Sequence, residues 1–301
     1  MSKVAVILSY YNGYRYIEEQ IESIVNQTHS CVDIFIRDDG STCSRSKDAL
    51  ATIKNCYPDI TIFERENVGV VRSFLELLSY AEGYDYYAFC DQDDYWLPEK
   101  IEVAVSKLSH EPSVHPKLYC GSYSLVDESL NAIKVTNKKD VVPSFQNAIF
   151  KNFCTGCTCV IDSELRQAAV SSSYKGELPM HDWWLLLTAY CVGNVIYDNN
   201  SYIYYRQHDS NVVGGMDSSM FKLIRYVRYI LSSDNTRSKL IDNLLLNYGS
   251  LGGENIKYLN GLSHASKNLF FRFKLLIKHP FSYAYISDRL SATFLFIIGR
   301  F

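Results

Sequence analysis

Residues 89–96 read Phe-Cys-Asp-Gln-Asp-Asp-Tyr-Trp, so three carboxylates, Asp91, Asp93 and Asp94, follow directly on the apolar run Tyr86–Cys90. Carboxylates this close raise one another's pKa unless a cation neutralises them. Two of them separated by one residue can hold a hard divalent cation, Mg²⁺ or Mn²⁺, through oxygen, with water and substrate phosphates completing the coordination. Such a site would bind a nucleoside diphosphate and stabilise it as a leaving group. An isolated acidic turn is equally what a solvated loop looks like, and other parts of the chain decide between the two.

Three more polar turns repeat the pattern. Ser9-Tyr10-Tyr11-Asn12 follows Val4–Leu8, Asp38-Asp39-Gly40-Ser41 follows Ile34–Ile36, and Arg65-Glu66-Asn67-Val68-Gly69 follows Ile60–Phe63. Between these runs, Ile17, Ile21, Ile24 and Val25, then a segment from about Arg45 to Cys56, then Phe74, Leu77, Leu78 and Ala81 carry helical spacing. Strands alternating with helices predict a mostly parallel sheet with right-handed crossovers. All four turns then lie at the carboxyl ends of their strands, on the edge where open α/β sheets bind ligands. One acidic turn is unremarkable; four polar turns on one edge are a site.

The later chain is less regular. Leu118–Ser124, Cys157–Ile161, Val195–Tyr197 and Tyr202–Tyr205 read as strands and Asp182–Cys191 as an apolar helix. Beyond Met216 the pattern turns helical, first through Phe221, Ile224, Tyr229 and Ile230, then through Leu240, Leu244 and Leu245. Asp182 reads as a first-turn helix acid ahead of Trp183-Trp184-Leu185. Arg206 and His208, two apart on one strand face, are candidates for a diphosphate contact and for a third metal ligand or phosphate partner. The following residues 211–215, Asn-Val-Val-Gly-Gly, suit a loop closing over a bound donor. Cys154, Cys157 and Cys159 lack the second ligand pair of a structural zinc site and read as small residues facing an acceptor. Trp96, Trp183 and Trp184 offer rings on which a sugar can stack. The chain has neither a P-loop nor a dinucleotide fingerprint, so phosphates would be held mainly through metal.

Composition bounds the class. The 301 residues are 47% hydrophobic and 21% charged, as in ordinary globular proteins. Nine cysteines without framework spacing suit a reducing cytoplasm. The first residues carry too short an apolar run for a signal peptide, and no stretch reaches membrane-span length. The net charge of −3 hides an asymmetry: Met220–Phe301 carries 12 lysines and arginines against 4 acids, and the residues before it 18 against 29. An acidic body argues against a nucleic-acid partner. In the tail, Lys267, Arg272, Lys274, Lys278, Arg289 and Arg300 alternate with aromatic and aliphatic residues against the single acid Asp288. That pattern suits a helix lying on an anionic membrane surface, or one packed on the catalytic domain.

The stretches SYYNGYRYIEEQIESIVNQT, IRDDGST, ENVGVVRSF, FCDQDDYWLPEK, TGCT, HDWWL and YRQHDSNVVG, in this order from about residue 3 to 215, resemble family 2 glycosyltransferases, and within them the bacterial rhamnosyltransferase branch. The resemblance implies an α/β fold of GT-A type, inversion at the anomeric carbon and a nucleoside-diphosphate sugar donor. It implies that Ser9, Tyr11 and Asn67 line the donor pocket and that Asp38 and Asp39 recognise the base. Asp91 and Asp93 would form the DxD, Asp93 nearer the metal and Asp91 nearer the ribose or a metal-bound water. Asp182 falls at the general base, where the family often has Glu-Asp and this chain has His181-Asp182. Trp96, Gly156, Cys157, His181 and Trp183 would lie on the acceptor side.

The sequence thus predicts a GT-A domain over residues 1–216, with a nucleotide-binding part (1–100) and an acceptor part (101–216), and a basic helical extension over 217–301. The expected activity is inverting transfer of L-rhamnose from dTDP-β-L-rhamnose to a lipid-linked glycan in O-antigen-like lipopolysaccharide synthesis, on the cytoplasmic side of the membrane. The rival readings are a UDP-hexose donor, a sugar nucleotidyltransferase, which would need a Gly-rich basic loop after the first strand, and a glycan-binding protein, which would not need an intact DxD and base.

Overall fold

The computed structural model describes residues 1–112, 116–136, 141–208, 236–265, 268–283 and 285–299. The helical pattern at Phe221–Ile230, the loop 211–215 and the tail cations Lys267 and Arg300 lie outside these residues. The chain forms two compact units, residues 1–138, 154–171 and 180–206 in the first and 139–153, 172–179 and 207–301 in the second.

The first unit is built on a sheet whose first half follows the sequence pattern. Strands β1 (Val4–Tyr10), β2 (Val32–Asp39), β3 (Thr61–Arg65) and β4 (Tyr86–Cys90) pair in parallel in the order β3-β2-β1-β4. Helices α1 (Ile17–Val25), α2 (Ser44–Cys56) and α3 (Val70–Tyr80) make the connections. Val4 through Leu8 are fully buried, as a central parallel strand covered on both faces requires. The edge then changes character: β8 (Val160–Asp162) pairs antiparallel with β4 and with β6 (Lys117–Val126). β6 runs parallel to β9 (Asn194–Arg206), and the short β5 (Tyr95–Trp96) closes antiparallel against β9. β7 (Ala132–Thr136) hangs on β6. Helices α4 (Lys100–His110), α6 (Ser163–Val170) and α7 (His181–Val192) complete the unit.

Two sequence expectations are corrected here. Val195–Tyr197 and Tyr202–Tyr205 belong to one strand, because β6 keeps pairing through a register shift that steps from Asp198 to Ser201. The expected strand from Cys157 starts at Val160, and Gly156–Thr158 is a 3-10 turn. Helices α4 and α6 carried no clear reading from sequence.

The second unit holds α5 (Phe145–Phe150), α8 (Thr236–Tyr248), α9 (Glu254–Ala265), α10 (Leu269–Lys278) and α11 (Ile286–Ile297). Ser144 caps α5 by accepting from the Asn147 N–H at 3.2 Å. Phe150, Phe281 and Phe296 meet edge to face, with centroids 4.6–6.0 Å apart. Asn147 is buried and donates from Nδ2 to Val142 O at 2.9 Å, while Tyr283 donates to Asn147 O at 3.2 Å.

Gly40 sits where the β2 turn crosses the β3 turn. Its φ is +76°, and a Cβ there would stand 2.8 Å from the Asn67 backbone nitrogen. Gly83 has nearly the same φ, +82°, with open space around it. Gly83→Ala should therefore cost only the conformational term, about 1 kcal/mol. Gly40→Ala adds the clash and should cost roughly 2–3 kcal/mol. Urea unfolding of both variants checks the difference; equal losses would mean the two turns do not press on each other.

Candidate active site

The four polar turns meet, and specific side chains hold them together. Asn12 stands at φ +50°, a conformation Asn tolerates, and its Oδ1 accepts from the Thr42 and Cys43 N–H groups at 3.0 Å each. Its own N–H donates to Ser41 Oγ at 2.9 Å, so the β1 turn is tied to the β2 turn. Gln92 ties the β1 turn to the β4 turn, accepting from Tyr11 N at 2.9 Å and donating to Tyr11 O at 3.2 Å.

Asp39 binds the third turn. Its carboxylate is buried, paired with the buried Arg37, and accepts from Val68 N at 2.9 Å and Gly69 N at 3.0 Å. Arg37 continues to Glu76 at 3.0 Å. Expected from the resemblance at the base, Asp39 is in the structure the anchor of the turn that carries Asn67. Asp38 accepts from Ser41 N at 2.9 Å, Ser9 Oγ meets Ser73 Oγ at 2.6 Å, and Tyr11 and Asn67 are exposed.

The acidic stretch after β4 is held from two sides. On one, helix α1 presents a buried polar row among its apolar residues. Gln20 donates to Cys90 Sγ at 3.1 Å, Ser23 Oγ accepts from Trp96 N at 3.1 Å, and Gln27, just past the helix, exchanges bonds with Leu97 O and Ile101 N at 2.8 and 3.0 Å. On the other, Arg206 at the end of β9 is 2% exposed. Its Nε donates to Asp93 O at 2.9 Å, its other nitrogens reach Glu128 O and the Glu19 carboxylate, and its backbone N–H donates to Asp94 Oδ1 at 3.3 Å. Expected at a diphosphate, Arg206 is placed as the clamp of the turn. His208 follows two residues later, half-buried and in the second unit.

Asp91 is pushed up to about 7, first by burial and then by the charges of Asp93 and Asp182. Asp94 is held well above its ordinary range by burial and by Asp93 and Asp91, and its Oδ2 is buried without a hydrogen-bond partner. One donor atom each from Asp91, Asp94 and Cys157 lies within 4.8 Å of the others. Asp93, expected as the nearer ligand, is outside this group, although its charge acts on both neighbours. An orphaned buried carboxylate oxygen among carboxylates that repel one another fits a divalent cation, which would remove the repulsion.

Beneath the cluster lies a residue the sequence reading missed. Lys100 is 2% exposed, and its Nζ stands 3.2 Å from the Trp96 ring centroid with no hydrogen-bond partner. Burial pushes it down to about 8, against the pull of Cys90, Cys157, Cys159 and Asp94. The only cue was its place in Trp-Leu-Pro-Glu-Lys, directly after the acids. Trp96 is therefore no sugar platform: it is 1% exposed, with an ammonium over its ring. Trp184 is likewise buried, and only Trp183 keeps a partly exposed side chain.

Asp182 lies in the first turn of α7, buried, with Oδ1 accepting from Trp183 N at 2.6 Å. Its charge reaches Asp91, so the expected base and the expected DxD face one site. His181 before it is buried between rings, 4.0 Å from Phe74 and 5.6 Å from Phe89 centroid to centroid. Both of its ring nitrogens lack hydrogen bonds, and burial pushes it down to about 3, so it is neutral. A Cβ on Gly156 would stand 2.9 Å from His181 Nε2 and 3.5 Å from Asp182 Oδ2, which places the Thr-Gly-Cys-Thr turn against this pair.

Three groups here link stability to pH. Asp91, held up to about 7, and Asp94, also held up, keep protons that the unfolded chain gives up, so their shares fall as pH rises; His181, pushed down to about 3, opposes them up to its ordinary 6.5. The share of Asp91 is at most about 1.4 kcal/mol per pH unit. In chelator, the stability of wild type relative to Asp91→Asn, by urea unfolding, should fall as pH rises from about 4 to about 7, and Mg²⁺ or Mn²⁺ at pH near 8 should stabilise wild type more than the variant. Equal slopes for the two proteins would remove the strain assigned to Asp91.

Comparison with known proteins agrees with this arrangement. The family model described as glycosyl transferase family 2 matches residues 5–163. The chain is 30% identical over 223 residues to dTDP-rhamnosyl transferase RfbG of Shigella flexneri, covering 68% of this chain and 72% of that one. It is 29% identical over 215 residues to an uncharacterised glycosyltransferase of Rickettsia typhi, covering 69% of this chain and 64% of the relative. Residues 1–349 of TarS from S. aureus, solved with UDP-GlcNAc, superpose with a TM-score of 0.58 at 15% identity over 99% of this chain and 89% of that one. That likeness is one of fold, the GT-A type with its mostly parallel sheet. The chain belongs to glycosyl transferase family 2.

Proposed function

We propose that the chain transfers L-rhamnose from dTDP-β-L-rhamnose, with inversion, to a lipid-linked glycan in the synthesis of an O-antigen-like surface polysaccharide, as a peripheral protein on the cytoplasmic face of the membrane. The observation that carries the donor is the match to a dTDP-rhamnosyl transferase, 30% identical over two thirds of the chain. The inverting chemistry is supported by a carboxylate, Asp182, whose charge reaches the acidic turn. No helix among the described residues is long and apolar enough to cross a membrane, so attachment would be peripheral.

In this reading Asp182 takes the proton of the acceptor hydroxyl as its oxygen attacks C1, a single displacement that needs one base. Asp91 and Asp94, with the charge of Asp93 beside them, would hold Mg²⁺ or Mn²⁺. When bound, that cation neutralises charge on the departing diphosphate. Ser9, Tyr11 and Asn67 line the nucleotide pocket, and Asp38 reads the base beside the turn that Asp39 holds. Gly156, Cys157, His181 and Trp183 shape the acceptor side, where a neutral His181 adds no charge beside the base. Arg206 and Gln92 keep the turns in register, so that distances between base, cation and donor are set before binding.

The test uses the purified chain with a panel of sugar nucleotides and a lipid-linked acceptor. dTDP-rhamnose should be consumed, and NMR should show an α-L-rhamnoside; a preference for UDP-glucose or UDP-galactose would overturn the donor. Asp182→Asn should lower kcat on the order of 10²–10⁴-fold with donor affinity by calorimetry little changed. A matching loss of donor affinity would make Asp182 a donor-binding residue instead.

A further inference from the structure

The last two helices leave apolar rows in solvent. Helix α10 buries none of its residues, and Leu269, Phe270, Phe273 and Ile277 are 52, 71, 46 and 84% exposed on one helical face. On α11, Ile286, Leu290 and Phe294 stand one turn apart at 71, 66 and 50%. Single exposed apolar residues are ordinary, whereas aligned rows mark an interaction surface.

The charges around these rows are sorted. Arg272, which the sequence reading placed with the lipid-facing cations, points inward: Nε donates to Ala265 O at 2.9 Å and Nη1 to Ile297 O at 2.8 Å. It fixes α10 to the ends of α9 and α11, so the two helices that carry the rows are held together. Asp288, the one acid on these two helices, is bound to Lys151 at 3.1 Å. Lys274 and Lys278 remain exposed beside the rows, as does Arg289, whose Nε donates to Tyr283 O at 2.7 Å. Among the described residues none of the three is bonded to a carboxylate, and Glu254, the acid whose charge meets that of Lys278, is paired with Lys257 at 2.7 Å.

We propose that α10 and α11 together dock on an anionic lipid bilayer, the apolar rows entering the headgroup region and Lys274, Lys278 and Arg289 meeting lipid phosphates. The charge pattern selects this occupant. A second copy pairing through the same face would bring cation against cation with no free acid to answer them. The inference deepens, and rests on, the membrane-side reading of the function.

The experiment is vesicle flotation of the full chain at low salt, with phosphatidylcholine alone and with added phosphatidylglycerol. Binding should favour the anionic vesicles, and Phe270→Glu with Ile277→Glu, Leu290→Glu with Phe294→Glu, and Lys274→Glu with Lys278→Glu should each weaken it on the order of tenfold. Donor affinity, measured by calorimetry, should hold in all three. The lysine pair alters only exposed polar side chains, so its loss cannot be laid to a damaged core. Wild type that ignores anionic vesicles, or variants that float equally well, would overturn the proposal. So would a lipid-free dimer that the apolar variants dissociate, since the face would then belong to a second copy. Flotation as expected with no rhamnosyl transfer would overturn the proposed function and leave this surface standing.

Discussion

Four carboxylates crowded at the end of one strand set the terms for the first unit. Asp91, Asp93 and Asp94 repel one another, the charge of Asp182 reaches Asp91, and the pressure shows in Asp91 and Asp94, both held above the ordinary carboxylate range. The chain supplies little to offset it. Arg206 gives its charge to Glu19 and its remaining donors to carbonyls, and Lys100 is itself pushed down by burial. A turn that repels itself would open if it could, so most of the surrounding hydrogen bonds exist to prevent that. The polar row of α1, the Gln92 bridge and the Arg206 clamp mostly grip backbone, and of the acidic side chains they reach only Asp94 Oδ1, through the Arg206 N–H. Rigidity of this kind is what a cation site needs: its oxygens are placed, and their repulsion is relieved only when positive charge arrives.

The same logic separates two jobs that look alike in the sequence. Asp38-Asp39 and Asp93-Asp94 are both adjacent pairs after a parallel strand. Asp39 has a guanidinium and two backbone N–H groups on its carboxylate, and so fixes a turn. Asp94 Oδ2 has none, and so is left for a ligand. Residue type was identical; the number of donors aimed at each oxygen decides the role.

This also explains what the sequence could reveal. The parallel half of the sheet and its four turns were legible, because apolar runs and helical periodicity are local and each turn stands directly after its strand. The antiparallel half was legible only in part: Asp198-Asn199-Asn200 reads as a turn, yet β9 continues past it because β6 stays paired across the register shift. Arg206 shows the limit most clearly. Its partners Asp93 and Asp94 lie 113 and 112 residues away, and nothing near Arg206 in the chain hints that its guanidinium faces inward. Lys100 was hidden differently, since lysine is rarely buried and its position is fixed by Trp96 and the acids above it, not by its own neighbours.

His181 carries the reasoning one step further. A protonated histidine beside Asp182 would pair with it and blunt it as a base. Phe74 and Phe89 prevent this by burial, which holds the ring neutral far below its ordinary range. Gly156 then matters for what it lacks, since a Cβ there would press on His181 Nε2 at 2.9 Å. The apolar rings, the missing Cβ and the uncharged imidazole act together on one atom group. They keep the Asp182 carboxylate buried beside a neutral neighbour, the state that the proposed general base needs.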